Sequence, residues 1–325
     1  MELENDINDE HNNNKRLASL LYEIAMYYRL ARDAYRAKAF NTGGDAVFHY
    51  KGDITSGNDI INVHGVGKSI SDSIDEYIPT GRIKRLEELQ KTYIKEKELF
   101  DYFQSFYGIG PVKAIQLIEA GYTTLSQLWD NKDKLLTYAQ QQGIFWRNHI
   151  NVRIPKEEMD MINEEISNIF NNKFNWIMAG SYRREEESSG DIDLLIERDD
   201  SISMDDVYEL LGQYLPTTLA KGEKKLAGIF RLSNEYFGHR IDILIVEKQN
   251  WPFALLHFTG SGRFNVLMRN RAKSFGWKLS EYNLLNENNE KINVLDEKEI
   301  FDVLGVKYIP PNQRFKTLTA LEFTF

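Results

Sequence analysis

Apolar positions in this chain change their spacing part-way along. From Lys15, the residues Leu17, Leu20, Leu21, Ile24, Ala25, Tyr28 and Ala31 recur at three- and four-residue steps, the period of one helix face. Further helices are predicted around 32–48, 55–62, 68–78 and 82–91, punctuated by short loops carrying Gly43-Gly44, Gly57 and Gly65-Val66-Gly67. A second helical stretch covers about 92–150, with helices near 98–106, 111–119, 124–130 and 132–141 and its own turn at Gly108-Ile109-Gly110-Pro111. The run RIPKEEMDMINEEISNIFNN (153–172) reads as an amphipathic helix starting near Pro155, where a missing N–H costs nothing. Strand patterns follow in FNWIMAG, DIDLLIE, LAGIFRLS and HRIDILIVE, with one helix at about 204–213. A helix near 262–274, short strands around Trp277 and Asn293, and a small helix at 297–304 complete the chain. Helices first and a mostly antiparallel sheet after them make the fold class α+β.

A length of 325 residues allows two or more packing units, at roughly 100–200 residues each. The absence of cysteine excludes disulfides, thiolate nucleophiles and cysteine-zinc sites, and fits an intracellular protein, nuclear or cytoplasmic. Residues 1–13, polar, acidic and rich in Asn, read as a disordered tail. The opening MELENDINDEHNNNKR has no apolar core for a signal peptide, and no later run reaches the roughly 20 apolar residues of a spanning helix. Abundant Asn, Ile, Lys and Tyr hint at an AT-rich coding genome, a viral one among the candidates. The net charge of −9 means that any grip on a polyanion must come from local patches, backbone amides or metal ions.

Chemistry concentrates in GSYRREEESSGDID (180–193). Strand side chains alternate faces, so Asp191 and Asp193 point together while Ile192, Leu194 and Ile196 enter a core. Adjacent carboxylates repel, and a hard divalent cation relieves that cost. Asp242 is the third acid: Ile241, Ile243 and Ile245 take one strand face and leave it on the other, where a carboxylate needs a partner or a metal. Three carboxylates on neighbouring strands suit a two-metal site. Backbone amides of the Gly180-Ser181 and Ser189-Gly190 turns, with Arg184, can hold phosphate oxygens beside it. HGVGKSI (64–70) and YGIGPVK (107–113) each set a glycine hairpin before a helix whose free N–H groups can accept phosphate. One such turn is more often an ordinary cap; two favour helix-hairpin-helix binding of a DNA backbone. HFTGSGRFNVLMRNRA (257–272) bends into a helix bearing Asn265, Arg269 and Arg271, which suits a nucleotide sugar and base pocket beside the acids. The GSYRR…GDID core alone leaves open a nucleotidyltransferase acting on RNA or a small molecule, and a catalytically dead DNA-end-binding scaffold.

Taken together, GSYRREEESSGDIDLLI, RIDILIV, HFTGSGRFNVLMR and the paired hairpins resemble the family X DNA polymerases, their beta type in particular. The likeness runs almost colinearly from about 15 to about 315, through the weaker AYRAKAF, IDEYIPTGRIKRLEEL, RIPKEEM and IFDVLGVKYIPP. It implies a lyase-like DNA-binding domain at 14–91, a helical DNA-binding subdomain at 92–152, a palm at 153–260 and a nucleotide- and template-binding subdomain at 261–325. By the resemblance, Asp191 and Asp193 bind two Mg2+ ions, with Mn2+ as an alternative, and Asp242 binds the catalytic one. Gly180, Ser181, Arg184, Ser189, Gly190 and Lys156 hold the triphosphate; His257, Phe258, Gly260 and Asn265 hold the sugar and base. Arg240 touches the primer, and Arg269 and Tyr282 face the template. Tyr35, Gly65, Val66, Gly67, Lys68, Gly108, Ile109 and Gly110 meet DNA, with a Na+ or K+ ion at the hairpins. Implied partners are dNTPs, gapped or nicked double-stranded DNA, and a ligase or other repair factors around a monomer with no membrane contact.

Departures qualify the resemblance. Ser73 stands where the family's 5′-deoxyribose phosphate lyases carry their Schiff-base lysine, so that activity is expected to be absent unless Lys68 or Lys84 reaches the sugar. His257 replaces a tyrosine and Gly262 an acidic residue beside the base, which implies relaxed fidelity. The short segment between Phe230 and Arg240 has no room for the long loop of template-independent relatives. No BRCT-like domain precedes the helices, so short-gap base excision repair is the expected setting.

Overall fold

The structure, a computed structural model, describes residues 12–198 and 202–314. The expected tail at 1–13 therefore lies outside the described residues except for Asn12 and Asn13, which are not a tail but the start of a helix. The chain divides into two compact units, residues 1–135 and 136–325. Among the described residues no helix is long and apolar enough to cross a membrane.

The first unit is helical: α1 (Asn12–Leu30), α2 (Ala34–His49), α3 (Lys68–Thr80), α4 (Lys84–Thr92), α5 (Ile94–Gln104), α6 (Pro111–Glu119), α7 (Leu125–Asp130) and α8 (Lys132–Leu135). Leu17, Leu21 and Ile24 of α1 are fully buried, as their spacing requires. Gly43 and Gly44 do not form a loop. They lie inside α2, where a Cβ on Gly44 would fall 2.5 Å from the Tyr22 ring and one on Gly43 would collide with Ile70. The helix expected at 55–62 is only a 3-10 turn, Gly57–Asp59. There the Asp59 carboxylate accepts from the backbone N–H groups of Thr55 and Ser56, both at 2.8 Å, a local competitor to helical bonding. Similarly, the helix expected at 132–141 breaks at Thr137. Its hydroxyl accepts from the Gln140 N–H, which starts a new helix.

The second unit opens with α9 (Tyr138–Phe145), α10 (Arg147–Ile150), β1 (Ile154–Pro155) and α11 (Lys156–Phe170). Then come β2 (Trp176–Met178), the one-turn α12 (Gly180–Arg183), β3 (Ser188–Ser189), β4 (Ile192–Arg198), α13 (Met204–Leu211), β5 (Thr217–Lys221), β6 (Lys225–Phe230) and β7 (His239–Glu247). The main sheet runs β2-β4-β7-β6-β5, and every pair is antiparallel except β4 with β7. Ile192, Leu194, Ile196, Ile241, Ile243 and Ile245 cover one face of that pair and pack with Met159, Ile162 and Ile166 of α11 and Val207 of α13. Leu195 and Val246 lie on the opposite face, against Ala254 of α14 (Trp251–Thr259). Helix α14 was not legible in the sequence. With Phe253, Ala254 and Leu256 all buried, it has no polar face to generate a helical period.

The chain ends in α15 (Gly262–Ser274), β8 (Lys278–Leu279), β9 (Leu284–Leu285), β10 (Lys291–Ile292) and α16 (Glu297–Val303), around a core that includes Phe253, Phe264, Met268, Ile300 and Phe301. Arg314 is wholly buried there. It donates to the Ile309 carbonyl at 2.9 Å and to Glu297 at 2.6 Å, with Phe264 and Phe301 rings against its guanidinium. Glu297 also accepts twice from Arg183, at 2.9 and 3.1 Å. Burial alone would raise the Glu297 carboxyl, but the Arg183 and Arg314 hydrogen bonds prevail and hold it below the usual range. Removing Glu297 leaves the buried Arg314 and the part-buried Arg183 without their shared acid. Glu297→Ala should therefore cost about 3–5 kcal/mol of stability, and Glu297→Gln less. Chemical denaturation followed by tryptophan fluorescence will report it, since four of the five tryptophans lie in this unit.

Candidate active site

The parallel register of β4 and β7 sets Asp193 directly opposite Asp242, with Asp191 just ahead of β4. Both strands turn these residues away from the isoleucine core, onto the α14 face of the sheet. Asp193 is the crowded member. Burial first, then the charges of Asp191 and Asp242, push its carboxyl up to about 7, against partial relief from Arg240 and Arg184. Two cations attend the other acids: Arg240 pairs with Asp191, and the Lys225 ammonium lies 3.0 Å from Asp242. Among the described residues, no group of three or more Asp, Glu, His or Cys side chains is arranged to hold a metal ion. The donors nevertheless suit a hard divalent cation, being carboxylates whose mutual repulsion such an ion removes. Gly180 keeps the adjoining space open. It sits at φ +58°, and any Cβ there would collide with Asp193 Oδ2.

Beside the acids lies a cavity of about 320 Å³. It brings together ten expected residues: Gly180, Ser181, Arg184, Gly190, Asp191, Asp193, His257, Phe258, Gly260 and Asn265. Ser181 donates to Ser189 at 2.9 Å, which joins the two small-residue turns and buries Ser189 behind the wall. Arg184, expected to hold phosphate, lines the cavity with its guanidinium engaged by the protein itself. Its Nη1 donates to the Thr259 carbonyl at 2.5 Å, and its Nε and Nη2 donate to Glu186 at 3.0 and 2.5 Å. Lys156 does not line the cavity. At the start of α11 its ammonium pairs with Asp160 at 3.1 Å, the ordinary i,i+4 contact of a helix face.

Arg153, Glu186 and Gly262 also line the cavity. Sequence reasoning passed over Arg153, which looked like the lead-in to α11. Its Nε donates to Ser188 at 2.8 Å, holding the guanidinium near Gly190. The β1–β3 pairing that brings those residues together is only two residues long and leaves no periodic signal. On the far wall, Asn265 donates to the His257 carbonyl at 2.7 Å, and Arg269 lies 3.3 Å from His257 Nδ1. Burial, then the Arg269 charge, lowers the His257 imidazole below its usual value, so Nδ1 accepts from the arginine. The Tyr282 side chain is exposed.

The glycine hairpins belong to the first unit. Gly65 and Gly108 take positive φ (+93° and +79°), and Gly67 and Gly110 cap α3 and α6. A Cβ on Gly67 or Gly110 would meet nothing within 4 Å, so both helix starts face open space, while Val66 and Ile109 anchor the turns in the core. Lys68 is exposed at the start of α3, and Tyr35 is 86% exposed. Ser73 is buried, donating to the Ser69 carbonyl at 2.9 Å. Lys84 stands at the N-terminus of α4, its backbone N–H on Glu76 at 3.1 Å.

Three family models match in chain order: a helix-hairpin-helix domain at residues 12–83, the DNA polymerase beta palm at 153–248 and the DNA polymerase beta thumb at 254–315. Among curated proteins, the chain is 24% identical to DNA polymerase lambda of Arabidopsis thaliana and 26% identical to DNA polymerase lambda of Rattus norvegicus, each over 93% of its length. It is 28% identical to the DNA polymerase/3′-5′ exonuclease PolX of Bacillus subtilis over 92%. It spans only 62%, 56% and 54% of those relatives. All three aspartates fall inside the palm match, and the His257–Asn265–Arg269 wall falls inside the thumb match. The three models follow one another in the order of a single architecture and together cover most of the chain, which belongs to the family X DNA polymerases.

Proposed function

We propose that this chain is a template-directed DNA polymerase that fills short gaps during DNA repair. The observation that carries the reading is the β4–β7 register, which sets Asp193, in the cavity wall, directly opposite Asp242, which does not line the cavity. The reaction is in-line attack of a primer 3′-oxygen on the α-phosphate of a dNTP, with pyrophosphate leaving. Two Mg2+ ions, or Mn2+, would be held by Asp191, Asp193 and Asp242, and supply a more nucleophilic hydroxyl and neutralisation of phosphate charge. Ser181, Gly190 and Arg153 bind the polyphosphate through backbone amides and a guanidinium. His257 and Phe258 pack on the sugar, Asn265 presents an amide to the base edge, and Arg269 and Tyr282 meet the template. Arg240 steadies the primer backbone near Asp191. The open helix starts after Gly67 and Gly110 take DNA phosphates without reading sequence, which suits a chain of net negative charge. On the same reading, the backbone carbonyls of the two hairpins would hold a monovalent cation.

The 5′-deoxyribose phosphate lyase activity of related enzymes is absent on this reading. Ser73 offers a buried hydroxyl, already bonded to the Ser69 carbonyl, where an imine needs an amine. Replacement of tyrosine by His257, and of an acid by Gly262, loosens the grip on the nascent pair and lowers fidelity. Base excision repair, in company with a ligase, is the natural setting.

On one-nucleotide-gapped DNA with Mg2+, Asp242→Ala should cut incorporation by at least about a thousand-fold, a loss of about 4 kcal/mol of transition-state stabilisation. Gapped-DNA affinity should be retained. Comparable incorporation by wild type and variant would refute the assignment, and preference for an RNA primer or a small-molecule acceptor would move the substrate. Borohydride trapping on a 5′-deoxyribose phosphate end should give no covalent adduct. An adduct on Lys68 or Lys84 would show that the lyase chemistry has moved rather than vanished.

A further inference from the structure

Glu186 is an acid in the wall of a cavity read above as a polyphosphate site. Its position follows from the local backbone. Glu185 takes a left-handed φ of +61° and donates to the Tyr182 carbonyl, after which the Glu186 N–H donates to the Ser181 carbonyl at 3.1 Å. This reversal folds Glu186 back alongside Arg184, and one carboxylate oxygen accepts from both Nε and Nη2 of that arginine. The pair is sheltered, with side chains 9% and 28% exposed, so its attraction is screened less than that of a surface ion pair. Glu186 also adds a third acidic side chain, with Asp191 and Asp193, to a wall that carries two guanidinium groups, Arg153 and Arg184.

Charges so placed cannot all be satisfied by an incoming polyphosphate. A phosphate group that engages the Nε–Nη2 edge of Arg184 needs the donors Glu186 already holds, and it must approach a like charge. We propose that Glu186 is a resident competitor for Arg184: it occupies the guanidinium when no phosphate is bound, yields it to the nucleotide, and retakes it as pyrophosphate departs. It thereby sets nucleotide affinity and favours product release. This inference rests on the reading of the cavity as a nucleotide site.

The test is equilibrium binding of magnesium pyrophosphate, by calorimetry, to the full chain, Glu186→Gln, Arg184→Ala and the double variant. Glutamine keeps the shape and removes the charge. Glu186→Gln should bind about ten-fold more tightly, equivalent to about 1.4 kcal/mol. The gain should vanish in the Arg184→Ala background, because the two residues form one thermodynamic unit. In gap filling, the same substitution should lower the KM for dNTP while kcat stays level or falls. Equal or weaker pyrophosphate binding by Glu186→Gln would overturn the proposal and make Glu186 a positioning residue for Arg184. A gain that persists without Arg184 would overturn it too. Failure of wild type and every variant to bind either pyrophosphate or dNTP would remove the nucleotide site itself, and the proposal with it.

Discussion

Everything chemical in this molecule depends on one pairing, the parallel alignment of β4 with β7. Two strands that are distant in sequence and alternate in polarity could pair in several registers, but a one-residue slip would turn the isoleucines of one strand out of the core. Burial of Ile192, Leu194 and Ile196 beside Ile241, Ile243 and Ile245 therefore fixes the register, and the register puts Asp193 against Asp242. The hydrophobic core of the second unit and the acidity of its site are two faces of one constraint. A parallel pair requires a crossover, which α13, β5 and β6 supply.

Packing carboxylates this closely is costly, and the protein tolerates it by pairing. Arg240 answers Asp191, Lys225 answers Asp242, and Asp193 between them has its carboxyl driven up to about 7. The same economy recurs in the cavity, where Glu186 and the Thr259 carbonyl engage Arg184, and in the C-terminal core, where Glu297 is shared by Arg183 and Arg314. Arg183 and Arg184 are neighbours on α12 and its cap, yet one is committed to the ion triad with Glu297 and Arg314 and the other lines the cavity. The net charge of −9 does not by itself fix the field at the site, which depends on how these cations and acids are placed.

Legibility in the sequence followed the physical range of each signal. The period-two strands, the dyad of Asp191 and Asp193, and the lone Asp242 could be read directly, because alternation is a local property of the chain. Helix α15 spans Gly262–Ser274, as its sequence pattern predicts. Helix α14 escaped because its burial on several sides erased the helical period, and β5 because its five residues alternate too weakly. The glycines at 43 and 44 suggested a loop, whereas they serve close contact with Tyr22 and Ile70. Arg153 and Glu186 escaped for a different reason. Their roles arise from contacts made by a two-residue strand pair and a left-handed turn, which carry no pattern of their own.

The most direct measurement of the central claim is a Mn2+-binding titration followed by electron paramagnetic resonance, with the full chain compared against Asp193→Asn and Asp242→Asn. If the three carboxylates form one cation-binding centre, wild type binds Mn2+ there, Asp193→Asn loses that binding, and Asp242→Asn weakens it while the fold stays intact. Undiminished Mn2+ binding in both variants, or none in wild type even with dNTP and gapped DNA present, would contradict the account.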